Sequence, residues 1–264
     1  MKPTAAPARQ DEANAAGFGG SRRKSAGGEK IPSAVPHMKA IILAAGEGVR
    51  MRPLTLEKPK PLIEVGGKPL LHRLIGNLPE NINEVILVVG YLGDQIVRTC
   101  GERFLGRRVK YVWQKERLGT YQALKLCEPL IEDNERFGLF FPDDILEKEA
   151  IETVLKHDLA VIAKEVPDPR RFGVIEVHPE GHVKAIEEKP ERPKTNLALT
   201  TGYVLNKNVL KYEPPKSSSG EYYLSWSIGK MAEDHKIHVV KANFWFPIAT
   251  PEDIKRAEEL IRER

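Results

Sequence analysis

The chain has 264 residues, 41% hydrophobic, 30% charged and 7% aromatic, a globular composition that excludes collagen-like, fibrous and wholly disordered classes. Its 41 Lys and Arg exceed its 37 Asp and Glu by only four, and residues 1–37 hold six of those bases against three of the acids, so the remainder is almost neutral. A neutral body excludes the basic face of a duplex-binding protein, and the longest apolar runs, Ala40 to Ala45 and Val85 to Val89, are strand-sized and far short of the roughly 18 residues of a bilayer helix.

Residues 1–37 are rich in Ala, Gly, Pro and Ser, with Met1, Phe18, Ile31 and Val35 as their only large apolar side chains. Such a segment buries too little to offset chain entropy, which predicts a disordered tail. Arg22-Arg23-Lys24 reads as solvated tail charge. No apolar stretch of secretory-signal length occurs, and Asp11, Glu12 and Glu29 argue against an organelle leader. Met38 follows directly and opens a strand, so residues 38–264 are read as the domain. Cys100 and Cys127 have no CxxC spacing and lie on apolar-periodic segments. They are expected to be buried free thiols of a soluble, cytoplasmic protein.

Within the domain, Lys39 to Ala44, Glu84 to Val89, Val109 to Trp113 and Gly138 to Phe141 read as buried strands. Helical spacing of apolar residues falls between them, over Pro69 to Leu78, Asp94 to Phe104 and Thr120 to Ile131. This alternation predicts an α/β fold, Rossmann-like, with a mostly parallel sheet flanked by helices and ligands at the carboxyl ends of the strands. From Leu159 the pattern becomes hairpin-like. Strands are expected at Leu159 to Glu165, Val174 to Val177 and Val183 to Glu187, the last two joined by His178-Pro179-Glu180-Gly181. A helix over Glu221 to Glu233, a strand over Ile237 to Ala242 and a final helix capped by Thr250 follow, with Pro251 at its first position. The chain contains no hexapeptide repeats of a left-handed β-helix. Its seven histidines suggest no cluster, and His178 and His182 are expected to be solvated beside their turn.

The first strand runs into Leu43-Ala44-Ala45-Gly46-Glu47-Gly48-Val49-Arg50-Met51-Arg52 and then Pro59-Lys60-Pro61. Small residues and two glycines after a buried strand let the backbone approach a ligand and offer amides to phosphate oxygens. The third glycine of a dinucleotide fingerprint is missing, as is the Gly-Lys-Ser/Thr of a P-loop, so neither common nucleotide motif is present. What marks the loop is cations. Arg50, Arg52 and Lys60 lie close to the glycines, and prolines stiffen the chain on both sides of Lys60, an arrangement suited to a triphosphate.

Leu43 to Thr55 with Pro59 to Leu62 and Gly67-Lys68-Pro69-Leu70-Leu71 resembles the opening signature of the sugar-1-phosphate nucleotidyltransferases. Further matches are Gln114 with Leu118-Gly119-Thr120, Asp143-Asp144, Arg171-Phe172-Gly173-Val174, Glu188-Lys189-Pro190, Thr201-Gly202-Tyr203 and Thr250-Pro251-Glu252-Asp253. The resemblance implies that a sugar 1-phosphate attacks the α-phosphorus of a nucleoside triphosphate (NTP), with Mg²⁺ and release of pyrophosphate. It implies catalytic roles for Arg50 and Lys60 on the phosphates and a metal-binding role for Asp143. Nucleotide contacts are implied for Leu43, Ala44, Ala45, Gly46, Gly48, Gln114, Gly119 and Thr120, and sugar-phosphate contacts for Gly173, Glu188, Lys189, Thr201 and Glu221. The partners implied are the two small substrates, with no nucleic acid and no membrane. A homo-oligomer is allowed but not indicated.

The chemistry fits what the sequence lacks. A phosphate monoester is largely ionised at neutral pH, so its attack needs no general base and no catalytic triad. Gln114 both donates and accepts, which matches the imide edge of uracil or thymine and favours UTP or dTTP, with glucose 1-phosphate the commonest partner in resembling families. Three positions depart from the family pattern: Pro142 stands for the glycine before the metal aspartate, Pro247 for a second metal aspartate, and Trp226 for an aspartate after Ser225. They leave open a catalytically silent relative that binds nucleotide sugar, as well as a GTP:mannose-1-phosphate enzyme or transfer to another phosphorylated alcohol.

Overall fold

The computed structural model describes residues 38–263; the expected tail over 1–37 lies outside them. The first half contains β1 (Met38–Ala44), β2 (Glu64–Val65), β3 (Lys68–Pro69), α1 (Leu70–Asn77), β4 (Ile82–Val89), α2 (Gly93–Cys100), β5 (Arg103–Phe104), β6 (Arg107–Trp113), α3 (Thr120–Lys125) and β7 (Arg136–Phe140). β1 pairs in parallel with β4 and β7, and β4 with β6. Their apolar runs are continuous because both sheet faces are covered. Alternate residues enter different cores: Ala40, Ile42 and Ala44 pack with Leu71, Leu74 and Ile75 of α1, whereas Ile41 and Leu43 pack with Tyr121 and Leu124 of α3.

The second half contains β8 (Asp144–Leu146), α4 (Lys148–Val154), β9 (Ala160–Glu165), β10 (Gly173–Val177), β11 (Val183–Glu188), β12 (Leu197–Asn206), α5 (Leu224–Asp234), β13 (His238–Lys241), β14 (Trp245–Pro247) and α6 (Pro251–Arg262). The ten-residue β12 joins the halves, running antiparallel to β7, β9 and β10. The β10–β11 hairpin and β13 complete a ten-stranded mixed sheet. The sheet is therefore an α/β sheet with a mostly parallel half and a hairpin-containing half, as the sequence predicts.

Several boundaries differ from the periodicity. The helix expected over Asp94 to Phe104 ends at Cys100, because Gly101 takes a left-handed φ of 58° and Arg103–Phe104 turns back to pair with β6. The helix expected to Ile131 ends at Lys125 and continues only as a 3-10 turn containing Pro129, which has no amide to donate. The helix expected from Glu221 begins at Leu224, since the amide of Tyr222 bonds to Leu118 O and the amide of Tyr121 to Tyr222 O. β12, α4, the β2–β3 pair and the β8–β14 pair carry no strong period and were not expected. The final helix has its Thr250 cap, with Asp253 completing a capping box. Both cysteines are buried and free, and burial pushes the Cys100 thiol up to about 11 and the Cys127 thiol up to about 12.

No described helix is long and apolar enough to cross a membrane.

Candidate active site

The carboxyl ends of β1, β6 and β7 open onto a cleft of about 1020 Å³. All the residues assigned above to catalysis, nucleotide, sugar phosphate or metal line it: Leu43, Ala44, Ala45, Gly46, Gly48, Arg50, Lys60, Gln114, Gly119, Thr120, Asp143, Gly173, Glu188, Lys189, Thr201 and Glu221.

At one end lies the glycine loop. Gly48 takes a φ of 64°, and a Cβ there would stand 3.0 Å from Thr55 Cγ2 and 3.2 Å from Lys60 Cβ. Glycine thus lets the loop press against the stem of Lys60. The Thr55 hydroxyl fixes the turn by donating to Gly48 O at 2.9 Å. At Gly46 an added Cβ would meet no protein atom within 4 Å. Lys60 is nearly buried and its Nζ lies 3.0 Å from Asp143 Oδ2. Arg50 is exposed, and its guanidinium has no protein partner among the described residues.

Gln114 donates its backbone amide to Val89 O at 2.9 Å and its side-chain amide to Gly119 O at 3.4 Å. Gly119 has a φ of 93°, and a Cβ would lie 2.7 Å from the Tyr222 backbone, so only glycine lets this loop reach the segment before α5. The Thr120 hydroxyl accepts from the Leu224 amide at 3.0 Å, which occupies it in holding the start of α5.

The other end is built on the β10–β11 hairpin. Glu188 accepts from Ser225 Oγ at 2.7 Å, and a Cβ on Gly173 would come within 3.2 Å of its carboxylate. Lys189 has a left-handed φ of 47°, held by its amide bond to Phe172 O. Its Nζ lies 3.3 Å from Tyr223 Oη and 4.6 Å from the centre of that ring. The same hydroxyl donates to Glu221 at 2.9 Å and meets Ser219 at 3.0 Å. The sequence reading did not single out Tyr223, Ser219 or Ser225, although they surround Glu221 in the same motif. Arg171, which the sequence places in a family match without a role of its own, is an exposed cation lining this end.

A model of the nucleotidyl transferase family matches residues 39–264. The chain belongs to that family. The bifunctional protein GlmU of Methanocaldococcus jannaschii is 33% identical over 231 residues, covering 86% of this chain but 55% of GlmU. The chain therefore spans about half the length of the GlmU relatives it matches. AglF of Haloferax volcanii, named a UTP–glucose-1-phosphate uridylyltransferase, is 31% identical over 86% of this chain and 97% of its own length. Among solved structures, one assigned as a glucose-1-phosphate thymidylyltransferase of Bacillus anthracis, with bound sucrose, shares 29% identity at a TM-score of 0.73, covering 86% of this chain and 96% of its own.

Against the family pattern, two of the three departures, Pro142 and Pro247, line the cleft beside Asp143. Pro247 on β14 pairs with Asp144 on β8, and the Ile248 amide bonds to Asp143 O at 3.2 Å. Asp144 accepts from the Trp245 indole at 2.6 Å. Burial and the neighbouring Asp143 charge push its carboxyl up to about 8. Among the described residues no three His, Cys, Asp or Glu side chains form a metal-binding group. Of the adjacent pair, Asp143 is the carboxylate not bonded to the Trp245 indole, and its side chain is 42% exposed. Mg²⁺ is commonly held by one or two carboxylates with substrate phosphates and water, so this donor set fits a cation carried largely by the substrate.

Trp226 does not line the cleft and instead receives Lys230 at 5.9 Å over its ring. The histidines differ from expectation: the His238 ring lies 4.6 Å from both His157 and His182, outside the cleft. The chain order separates these three, and only the pairing of β13 with β9 and the hairpin turn unites them.

Proposed function

We propose that residues 38–264 form a domain that transfers a nucleotidyl group from an NTP, dTTP or UTP first, to a sugar 1-phosphate, glucose 1-phosphate first, giving a nucleotide sugar and pyrophosphate. The observation that carries this reading is one cleft with two cationic ends: Lys60 beside Asp143 with the exposed Arg50, and Lys189 beside Glu188 and Tyr223. A nucleoside triphosphate occupies the glycine-loop end and a sugar phosphate the hairpin end. The names of AglF and of the Bacillus anthracis structure support the substrate classes.

The sugar phosphate oxygen attacks the α-phosphorus, a new P–O bond forms there, and the bond to the leaving pyrophosphate breaks. The nucleophile is already an anion, so the protein supplies positioning and positive charge rather than a base. Arg50 and Lys60 offset charge on the phosphates, the glycine loop presents backbone amides, and Glu188 accepts from sugar hydroxyls while Lys189 holds the sugar's phosphate. Gln114 reads the pyrimidine edge. Asp143 would hold Mg²⁺, which when bound neutralises phosphate charge.

The testing experiment is pyrophosphate release with Mg²⁺ across dTTP, UTP, GTP, CTP and ATP, crossed with a panel of sugar 1-phosphates. Turnover with UTP or dTTP and a hexose 1-phosphate is expected. GTP with mannose 1-phosphate as the best pair would replace the base and sugar assignment. Nucleotide-sugar binding without turnover would instead favour the silent relative to which Pro247 points.

A further inference from the structure

Glu47 is an acid on the very loop that offers its amides to phosphate, and nothing in the proposed reaction uses it. Its side chain is 14% exposed. One carboxylate oxygen pairs with Arg52 and the other with Arg117. An anion beside a triphosphate site has to be neutralised, and two charge-assisted hydrogen bonds do so. The second bond also joins the glycine loop to the loop after β6. Arg117 belongs to the exposed residues 115–117, which lie between Gln114 at the end of β6 and Gly119. Those ends are fixed, through the Gln114 amide to Val89 O and the Tyr222 amide to Leu118 O. Between them, among the described residues, the bond from Arg117 to Glu47 is the only side-chain tie to the glycine loop.

Most exposed ion pairs contribute little. Here the arginines are themselves 64% and 47% exposed, but the acid is only 14% exposed, is shared by both guanidinium groups and sits between Gly46 and Gly48, which offer little stiffness of their own. Loss of the pair would let the loop carrying Gln114 move relative to the glycine loop while the sheet and helices stay intact.

We propose that Glu47 and Arg117 form a clasp across the nucleotide end of the cleft, and that this pair acts as a positioning device for base selection. It rests on the reading of this end as the nucleotide site. Glu47 and Arg117 hold the spacing of the two loops between which the base inserts, so Gln114 meets a base of one shape. Neither residue needs to touch the base.

The test is a direct binding titration of dTTP, UTP, GTP, CTP and ATP, without sugar phosphate, to the wild type and to E47A, R117A, R117K and the double variant E47A/R117A, with melting temperatures measured in parallel. The ratio of best to worst affinity is expected to fall about fivefold or more in each alanine variant, and no further in the double, because the two residues act as one unit. R117K keeps the charge and should retain most of the ratio at an unchanged melting temperature. An unchanged ratio in either single variant overturns the clasp. So does a common loss for all five nucleotides, which would make Arg117 a phosphate contact, and so does an additive loss in the double variant. Selective binding by the wild type with no effect of the variants defeats the clasp alone, whereas a wild type that binds none of the five defeats the nucleotide reading and the clasp with it.

Discussion

Lys60 and Asp143 lie 83 positions apart in the chain and 3.0 Å apart in space, and the first consequence of that contact is kinetic. A cation held against its counter-ion at the mouth of the proposed phosphate site needs no reorganisation when charge develops. Lys60→Ala is therefore expected to lower kcat by about 10²- to 10³-fold, the usual cost of losing one preorganised electrostatic contact, and steady-state pyrophosphate release measures it. A rate within about threefold of wild type would remove Lys60 from the chemistry. Tyr223 makes a second residue-scale case. Its hydroxyl joins Lys189, Glu221 and Ser219, while its ring lies under the Lys189 ammonium. Tyr223→Phe keeps the ring and removes the hydroxyl, which should raise KM for the sugar phosphate about three- to tenfold, the size of one or two hydrogen bonds. KM for the nucleotide should not change, and equal shifts in both would make the residue a general support.

At the scale of elements, the site depends on loops that only certain backbones can form. The loop before α3 reaches the segment before α5 because Gly119 adopts a φ of 93° with no side chain against the Tyr222 backbone. Gly119→Ala is expected to destabilise the protein by about 1–3 kcal/mol from backbone strain alone, read as a melting temperature lowered by several degrees, about 2–4 °C per kcal/mol for a domain of this size. An unchanged melting temperature would mean that the loop can lie elsewhere. The same element explains one departure from the periodicity. Residues 221–223 look helical in sequence, but Tyr222 is held by backbone bonds to Leu118 and Tyr121, and such tertiary bonds outweigh a weak helical preference. Likewise β8 and β14 have three residues each, too short to leave a period, yet they bring Pro247 against Asp144.

At the scale of the molecule, β12 makes one body of two halves. Ala198 and Val204 enter the core around α1, while Leu197, Leu199, Tyr203 and Leu205 enter the core around α3 and α5. Neither half can lose its packing without exposing the other through this strand. Equilibrium unfolding is accordingly expected as a single transition, with far-ultraviolet circular dichroism and tryptophan fluorescence coincident; two separated transitions would show that the halves are independent. Along the chain alone, the parallel half and the residues that come to line the cleft are legible. Buried strands with both faces covered are continuous apolar runs, and the glycine loop, Lys60, Asp143 and the Glu188-Lys189 pair lie in short contiguous motifs whose composition is legible without distances. What depends on pairing between distant segments is visible only once the chain is folded: the place of β12, the meeting of Pro247 with Asp144, the stacked histidines, the hub at Tyr223 and the bond from Glu47 to Arg117. Those contacts join residues remote along the chain, and side-chain spacing along a single element carries no signal of what will face it across a cleft.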